Sequence, residues 1–375
     1  MTTHIMPYLI QANVSPARYL RIYMCYKGRN VKVNLESKKL IYYCIFTNIT
    51  NMVDLIYGRG IIDLIREMPF YVNIFKNYAS IKLFHSKPAM YGSVDIINVC
   101  NLHCTHCYWW LNRKNENKDL TAEQWREIIK KTFKKQHIFV VTLVGGEPTM
   151  RPDVIQVFCE EMPKRVCVVT NGTYPLKRFE NLYFYWVSLD GTEKVHDSIR
   201  GKGSYAKTKQ NILNYIIGQS SRKGKPSWKD IWLTMTINSL NYNTIEDLIE
   251  EWVGKVNKIG FQFHTPFIKG DPLWMPFGEK RNEVVDKLVR LRKKYPNFII
   301  NGEKQLSLMK GNWGGIGTTP VQCPSWAILS LDHMGRVKQP CCIGSSDSKA
   351  LKPICEECGL GCYSVLVAQG ITGNS

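Results

Sequence analysis

Three cysteines, Cys100, Cys104 and Cys107, stand close enough on one segment for their thiolates to surround a single inorganic centre. A Cys-x3-Cys-x2-Cys run on a loop suits a cubane iron–sulfur cluster, with one thiolate on each of three irons and the fourth iron left open. An open iron can chelate an amino and a carboxylate group together, much as catalytic metal sites keep one position free. His103 and His106 lie inside the same run and offer an alternative, a closed structural zinc site.

The motifs downstream of this run favour the open cluster. Gly145-Gly146-Glu147-Pro148 is a turn whose two glycines let backbone approach a ligand closely. Its exposed carbonyls, with Glu147, can accept hydrogen bonds from an ammonium group. Thr170-Asn171-Gly172 and Ser188-Leu189-Asp190-Gly191 come next, and His196-Asp197-Ser198-Ile199-Arg200-Gly201 after them. Asn171 and Ser188 suit ribose hydroxyls, and Arg200 suits a carboxylate. Alone, each is ordinary turn chemistry, since Asn-Gly and Asp-Gly are common turn pairs. Their order behind the cysteine loop is what suggests a site.

A second cysteine group, Cys323, Cys341, Cys342, Cys355, Cys358 and Cys362, closes the chain. The run Cys355-Glu356-Glu357-Cys358-Gly359-Leu360-Gly361-Cys362 is tight enough to ligate metal. Cys323, Cys341, Cys355, Cys358 and Cys362 are the candidates for an auxiliary [4Fe–4S] cluster or a zinc ion, with Cys342 a spare. Cys25, Cys44, Cys159 and Cys167 are isolated, and isolated cysteines are usually buried apolar residues. An odd total of thirteen, concentrated in two groups of a long chain, suits metal better than a disulfide framework.

The elements that must position these residues are short β runs at 94–99, 139–144, 165–170, 185–189, 231–237 and 260–265, with helical patterns between them. Thr121, with Gln124 three residues on, has the form of a capping box for a helix beginning there. Six β/α units in series predict parallel strands with right-handed crossovers, and catalytic groups in such sheets gather beyond the C-terminal strand ends. Each motif above falls at such an end. A helix is expected over 279–294, a linker over 311–319 and a hairpin over 328–337. In the N-terminal region 31–50 reads as two strands, and 60–84 as an amphipathic helical stretch containing Ile61, Ile65 and Phe75, split at Pro69.

This combination resembles the radical S-adenosylmethionine (SAM) superfamily, through the three-cysteine loop, the Gly-Gly-Glu-Pro turn and the strand-end Thr-Asn-Gly and Leu-Asp-Gly. The resemblance covers roughly residues 94–270. It implies an α/β fold, a partial (β/α)6 TIM-like barrel at 94–310. A small N-terminal α+β region precedes it at 1–93, and a cysteine-rich extension similar to SPASM or twitch domains follows at 311–375. It also implies reductive cleavage of S-adenosylmethionine, with Gly145, Gly146 and Glu147 on the methionyl amine and Asn171, Ser188 and Arg200 as further contacts. The electron would come from a donor such as ferredoxin or flavodoxin. The tail departs from the SPASM pattern: Gly335 is one residue too far from Cys341, and there are too few cysteines for two full auxiliary clusters.

The substrate is read less directly. The end of the chain, Lys352-Pro353 through Cys362-Tyr363-Ser364-Val365, is similar to the lipid-modifying branch of that superfamily, which includes adenosylhopane synthase and calditol synthase. A formal charge of +19 suits an anionic lipid surface, and the 60–84 stretch would be its landing face. The alternative is maturation of a ribosomally made peptide, and an RNA-modifying enzyme comes third; no DNA partner is expected. The N-terminus lacks a basic segment followed by an apolar run, so we expect a cytoplasmic protein, peripheral to the inner face of the membrane if the substrate is lipid.

Overall fold

The computed structural model describes residues 12–14, 19–26, 29–36, 72–73, 76–81, 83–111, 119–220, 227–311 and 323–372. The chain forms two compact units, Met1–Tyr71 and Val72–Ser375. Residues 72–93 and the cysteine-rich tail both cluster with the barrel residues in the second unit.

In the first unit β1 (Ala12–Val14), β2 (Tyr19–Tyr26) and β3 (Arg29–Glu36) form a three-stranded antiparallel sheet in that order. β2 and β3 pair in full register from Tyr19 opposite Glu36 to Tyr26 opposite Arg29. Val31, Val33 and Leu35 alternate with polar residues in β3, the period of a strand with two unlike faces. Of the two strands expected over 31–50, the first is β3; residues 37–50 lie outside the described residues. The apolar and polar residues of β2 do not alternate in this way, and it went unpredicted.

The second unit is built on a seven-stranded sheet. β4 (Tyr91–Asp95), β5 (Val140–Val144), β6 (Val166–Thr170), β7 (Phe184–Ser188), β8 (Ile231–Ile237) and β9 (Lys258–Phe263) lie side by side in chain order, every pair parallel. Valine, isoleucine and aromatic residues dominate them, as strands with both faces covered require. Val94, Val141, Val168, Val187, Leu233 and Ile259 are all fully buried in one continuous core.

Helices fill the crossovers. After the short α1 (Tyr108–Leu111), α2 (Ala122–Ile128) begins at the expected capping box: Thr121 Oγ1 accepts from Gln124 N at 3.2 Å, and Gln124 Oε1 accepts from Thr121 N at 2.8 Å. It passes into a π-helical turn, Ile129–Lys134, that buries Ile129 and Phe133. Next come α3 (Pro152–Glu161), α4 (Glu193–Arg200), α5 (Ser204–Ser220), α6 (Ile245–Trp252), α7 (Glu279–Lys294), α8 (Glu303–Leu308) and α9 (Gly361–Ala368).

Residues 328–337 turn back on themselves as expected, Asp332 N donating to Arg336 O at 2.8 Å and Lys338 N to Ser330 O at 2.9 Å, but the first arm has a second partner. Ile328–Leu331 forms β10, which pairs parallel with β4 from Ile328 opposite Tyr91 to Leu331 opposite Val94. Leu331 and Val337 meet at a single antiparallel bridge. The edge of β4 would otherwise leave a row of backbone groups unpaired, and the tail satisfies them. A second core of Ile81, Met90, Phe267, Ala327, Leu360, Tyr363 and Leu366 holds the tail against this end of the sheet.

Of the stretch expected to be amphipathic at 60–84, residues 72–73, 76–81 and 83–84 are helical. Ile81 is fully buried, while Phe84 is 78% exposed. Ile61, Ile65 and Phe75 lie outside the described residues, as does the expected linker beyond residue 311.

One buried ion pair fastens the tail to the barrel. Lys338 Nζ donates to both oxygens of Asp95, at 2.9 and 2.8 Å, and the two side chains are 1% and 3% exposed. Asp95 is the last residue of β4, on the approach to the cysteine loop. Burial raises its pKa, and Lys338 opposes the shift. Removing one partner of such a pair leaves a buried charge uncompensated. Lys338→Met should therefore lose about 3–5 kcal/mol of unfolding free energy, measured by denaturant titration, and Asp95→Leu/Lys338→Met should recover most of it.

Candidate active site at the barrel mouth

The segment carrying Cys100, Cys104 and Cys107 leaves the C-terminal end of β4 and is pinned from several sides. Leu102 N donates to Cys100 Sγ at 3.5 Å, and Cys107 N to Cys104 O at 3.1 Å. Thr105 N reaches Ile199 O at 2.9 Å, tying the loop to the end of α4. Burial pushes the Cys100 thiol up to about 11 and the Cys107 thiol up to about 12, and raises Cys104 as well. A coordinated metal deprotonates such thiols outright.

The donor set fits a cubane cluster. His103 stacks on the Trp110 ring at 4.3 Å, and His106 Nε2 lies 3.8 Å from Asp190 Oδ2, so both histidines have partners other than the three thiols. Among the described residues no three donors already stand at the spacing of a single bound ion. A cubane takes one thiolate at each iron and so holds its ligands farther apart than one ion does.

The Gly-Gly-Glu-Pro turn does something the sequence did not suggest. Its glycines approach the chain that enters the cysteine loop, with Gly146 N donating to Ile97 O at 3.0 Å and Glu147 N to Val99 O at 2.8 Å. A Cβ on Gly146 would sit 1.9 Å from Val99 O, and Gly145 adopts φ +121°. Only glycine fits there. Glu147 is 1% exposed, and its carboxylate lies among donors from two strand ends. Oε1 accepts from Thr149 N (3.0 Å), Thr149 Oγ1 (2.5 Å) and Thr170 Oγ1 (2.7 Å), and Oε2 accepts from Asn171 N (2.8 Å). The residue braces the β5 turn against the β6 turn.

Asn171 continues the chain of contacts: its Nδ2 donates to Asn101 Oδ1 at 3.0 Å and lies 3.9 Å from Cys100 Sγ. Ser188 is buried at the end of β7. Arg200 pairs internally through Nε, which donates to Asp190 Oδ2 at 2.6 Å. Asp190 is fully buried, and its Oδ1 accepts from Thr236 N at 3.0 Å. Burial alone would raise the Asp190 pKa, but Arg200 and the neighbouring imidazoles hold it below the ordinary carboxylate value. His106 is kept neutral by burial, its pKa lowered to about 4.

Three residues were given no role by sequence, two at this mouth and one in the tail. Asp190 was legible as part of the Leu-Asp-Gly turn but carried no role. His264, just past β9, is hydrogen-bonded to Asp271 at 2.8 Å, its ring 6.4 Å from His106. Nothing in its local sequence marks it. Cys342, read as a spare, has its sulfur 3.8 Å from that of Cys362.

The tail cysteines sit against the end of β9. Thr265 Oγ1 lies 3.9 Å from Cys358 Sγ, Gly359 N donates to Thr265 Oγ1 at 2.9 Å, and Phe263 N donates to Gly359 O at 2.9 Å. Burial pushes Cys358 up to about 12 and raises Cys323 and Cys355. Cys323, Cys341, Cys342, Cys358 and Cys362 all pack against the second core.

Comparison with known proteins agrees with this architecture. The radical SAM superfamily model matches residues 94–216. Fe-coproporphyrin III synthase of Methanosarcina barkeri is 30% identical over 166 residues, 40% of this chain and 39% of that protein. The sporulation killing factor maturation protein SkfB of Bacillus subtilis is 26% identical over 42% of this chain and 38% of its own length. Mycofactocin maturase MftC of Mycolicibacterium smegmatis is 32% identical over 30% of each chain. The matched stretch thus spans less than two fifths of each of these relatives. Streptococcus suis SuiB, solved with its precursor peptide SuiA, shares the fold over 92% of this chain and 87% of its own, with a TM-score of 0.54 at 14% identity. Residues 94–216, headed by the three-cysteine loop, thus match the radical SAM superfamily, whose members use a [4Fe–4S] cluster and S-adenosylmethionine.

Proposed function

We propose that this chain is a radical SAM maturase that modifies a ribosomally made peptide, with Cys100, Cys104 and Cys107 holding the cluster that binds S-adenosylmethionine. The observation that carries the reading is the convergence of the β5, β6 and β7 strand ends on one cysteine loop. When bound, the cluster and cofactor supply an electron and a 5′-deoxyadenosyl radical able to abstract hydrogen. The chain's own residues bind, orient and exclude water. The carbonyls of the Gly145-Gly146 turn face the methionyl amine, since the Glu147 carboxylate is committed to its brace. Asn171 and Ser188 line the ribose side. Arg200, neutralised by Asp190, stands beside Cys104 as a fixed positive edge and leaves its remaining N–H groups for the cofactor carboxylate. The tail cysteines Cys323, Cys341, Cys355, Cys358 and Cys362 supply the ligands of an auxiliary [4Fe–4S] cluster, and a ferredoxin or flavodoxin supplies the electron.

The peptide is favoured over the lipid by the names of the relatives, a maturation protein and a maturase, and by a fold neighbour solved with a precursor peptide. The formal charge of +19 favours an acidic segment in that peptide. The lipid expectation keeps its support in the same charge and in exposed Phe84, but Ile81 of the expected landing stretch faces the core.

Under dithionite, the wild type should release 5′-deoxyadenosine from S-adenosylmethionine, and the Cys100→Ala/Cys104→Ala/Cys107→Ala protein should release none, as read by chromatography. A triple variant that still cleaves the cofactor would overturn the central assignment. Mass spectrometry of small peptides encoded beside the gene should show a loss of hydrogen or a crosslink. A wild type that leaves those peptides unchanged and sediments with phosphatidylglycerol vesicles would favour the lipid.

Gly146→Ala tests the turn. Its methyl group must displace Val99 and with it Cys100, so S-adenosylmethionine binding should weaken at least tenfold, about 1.4 kcal/mol, while the circular dichroism of the barrel is retained. Unchanged affinity in isothermal titration would show that the close approach is not needed.

A further inference from the structure

A buried cation near the tail has no partner of opposite charge among the described residues. Arg281, in the first turn of α7, is fully buried. Its Nε donates to Met309 O at 2.8 Å and its Nη1 to Met275 O at 2.9 Å. The guanidinium lies between two rings, 4.0 Å from the centroid of Phe263 and 4.6 Å from that of Phe277. Its Nη2 is buried with no hydrogen-bond partner. Carbonyl dipoles and ring faces soften a cation without neutralising it, and a buried ion without a counter-charge is costly.

The tail lies against Phe263, one of the two rings that flank this group. Phe263, on which the guanidinium stacks, donates its backbone N–H to Gly359 O. A Cβ on Gly359 would sit 2.4 Å from Phe263 O and 2.6 Å from Phe263 Cβ, so the two backbones touch. Cys358 is the residue before Gly359, and among the described ionisable groups it is the one whose charge acts on Arg281. As thiols, the tail cysteines offer this cation nothing. As thiolates on a metal centre they offer a concentrated negative charge.

We propose that Arg281 is the fixed counter-charge of the anionic iron–sulfur centre held by the tail cysteines, acting on it through Cys358. The proposal rests on the auxiliary-cluster reading above. Cluster potentials depend on net charge and surroundings, so a permanent cation here stabilises the more reduced state and raises the potential. Arg281 is thus a positioning and tuning residue that need not touch substrate.

The test uses the full chain, reconstituted anaerobically with iron and sulfide, with Arg281→Met, Arg281→Gln and Arg281→Lys beside the wild type. Iron content is measured first. A redox titration followed by electron paramagnetic resonance then separates the two clusters, the tail signal being identified by its loss in Cys355→Ala/Cys358→Ala/Cys362→Ala. In Arg281→Met the tail midpoint should fall by about 59 mV, the one-electron equivalent of a tenfold change in equilibrium. The cluster on Cys100, Cys104 and Cys107 should not move, and Arg281→Lys should restore most of the difference. Arg281→Gln, which can still donate to one of the carbonyls, gives the same reading if the methionine variant does not fold. Thermal unfolding with and without metal supplies the control: a counter-charge predicts a smaller gain on loading in the neutral variants. Equal losses in metal-free and loaded protein, or an unchanged tail potential, would reduce Arg281 to a strut while leaving the auxiliary cluster standing. A wild-type tail without iron would overturn both readings.

Discussion

Glu147 holds four hydrogen bonds out of reach of water, and the mouth of the barrel depends on them. A carboxylate buried this deeply is tolerated when its lone pairs are matched by donors. Burial pushes its pKa up, and the bonds from Thr149, Thr170 and Asn171 work against that. The result is a rigid link between two strand-end turns that would otherwise be independent loops. Through Asn171 the link reaches Cys100, and through the Glu147 backbone N–H it reaches Val99, so the entry to the cysteine loop is held by one acidic residue. A site that must place a bound cofactor against a reactive centre needs this kind of support from groups that never touch it.

The remaining charges at this end of the molecule follow the same logic in different degrees. Asp190 and Arg200 neutralise each other beside Cys104, and Asp95 and Lys338 do so where β4 leaves the sheet. Both pairs are buried, so each holds its geometry through strong local attraction and contributes less net stability than its short distances suggest. What they fix is position: the first sets the wall of the mouth, the second sets the tail against the barrel. Arg281 breaks the pattern: among the described residues it has no carboxylate partner.

The tail is part of the barrel's architecture as well as a carrier of cysteines. β10 covers the exposed edge of β4 with parallel hydrogen bonds, and α9 packs Tyr363, Leu366 and Val367 into the second core. The tail's Cys358 thus rests on the end of β9 while its strand β10 lies beside β4. These are the two ends of the same open sheet, so the tail spans the gap between its first and last barrel strands.

The sequence by itself determined the six parallel strands, the cap at Thr121 and the place of every motif at a strand end. Strand periodicity, turn residues and thiol spacing are local properties, carried by residues a few positions apart. Local pattern did not reveal that Glu147 and Arg200 face inward, that Asp190 is Arg200's partner, or that His264 stands across from His106. Those depend on which side chain finds a donor or an opposite charge tens of residues away, as Asp190 does with Arg200 and Thr236. The turn expected over 328–337 forms, but local pattern did not show that its first arm also joins the sheet. A strand's sequence shows that it will pair, but the open edge of β4, more than 200 residues upstream, decided with what.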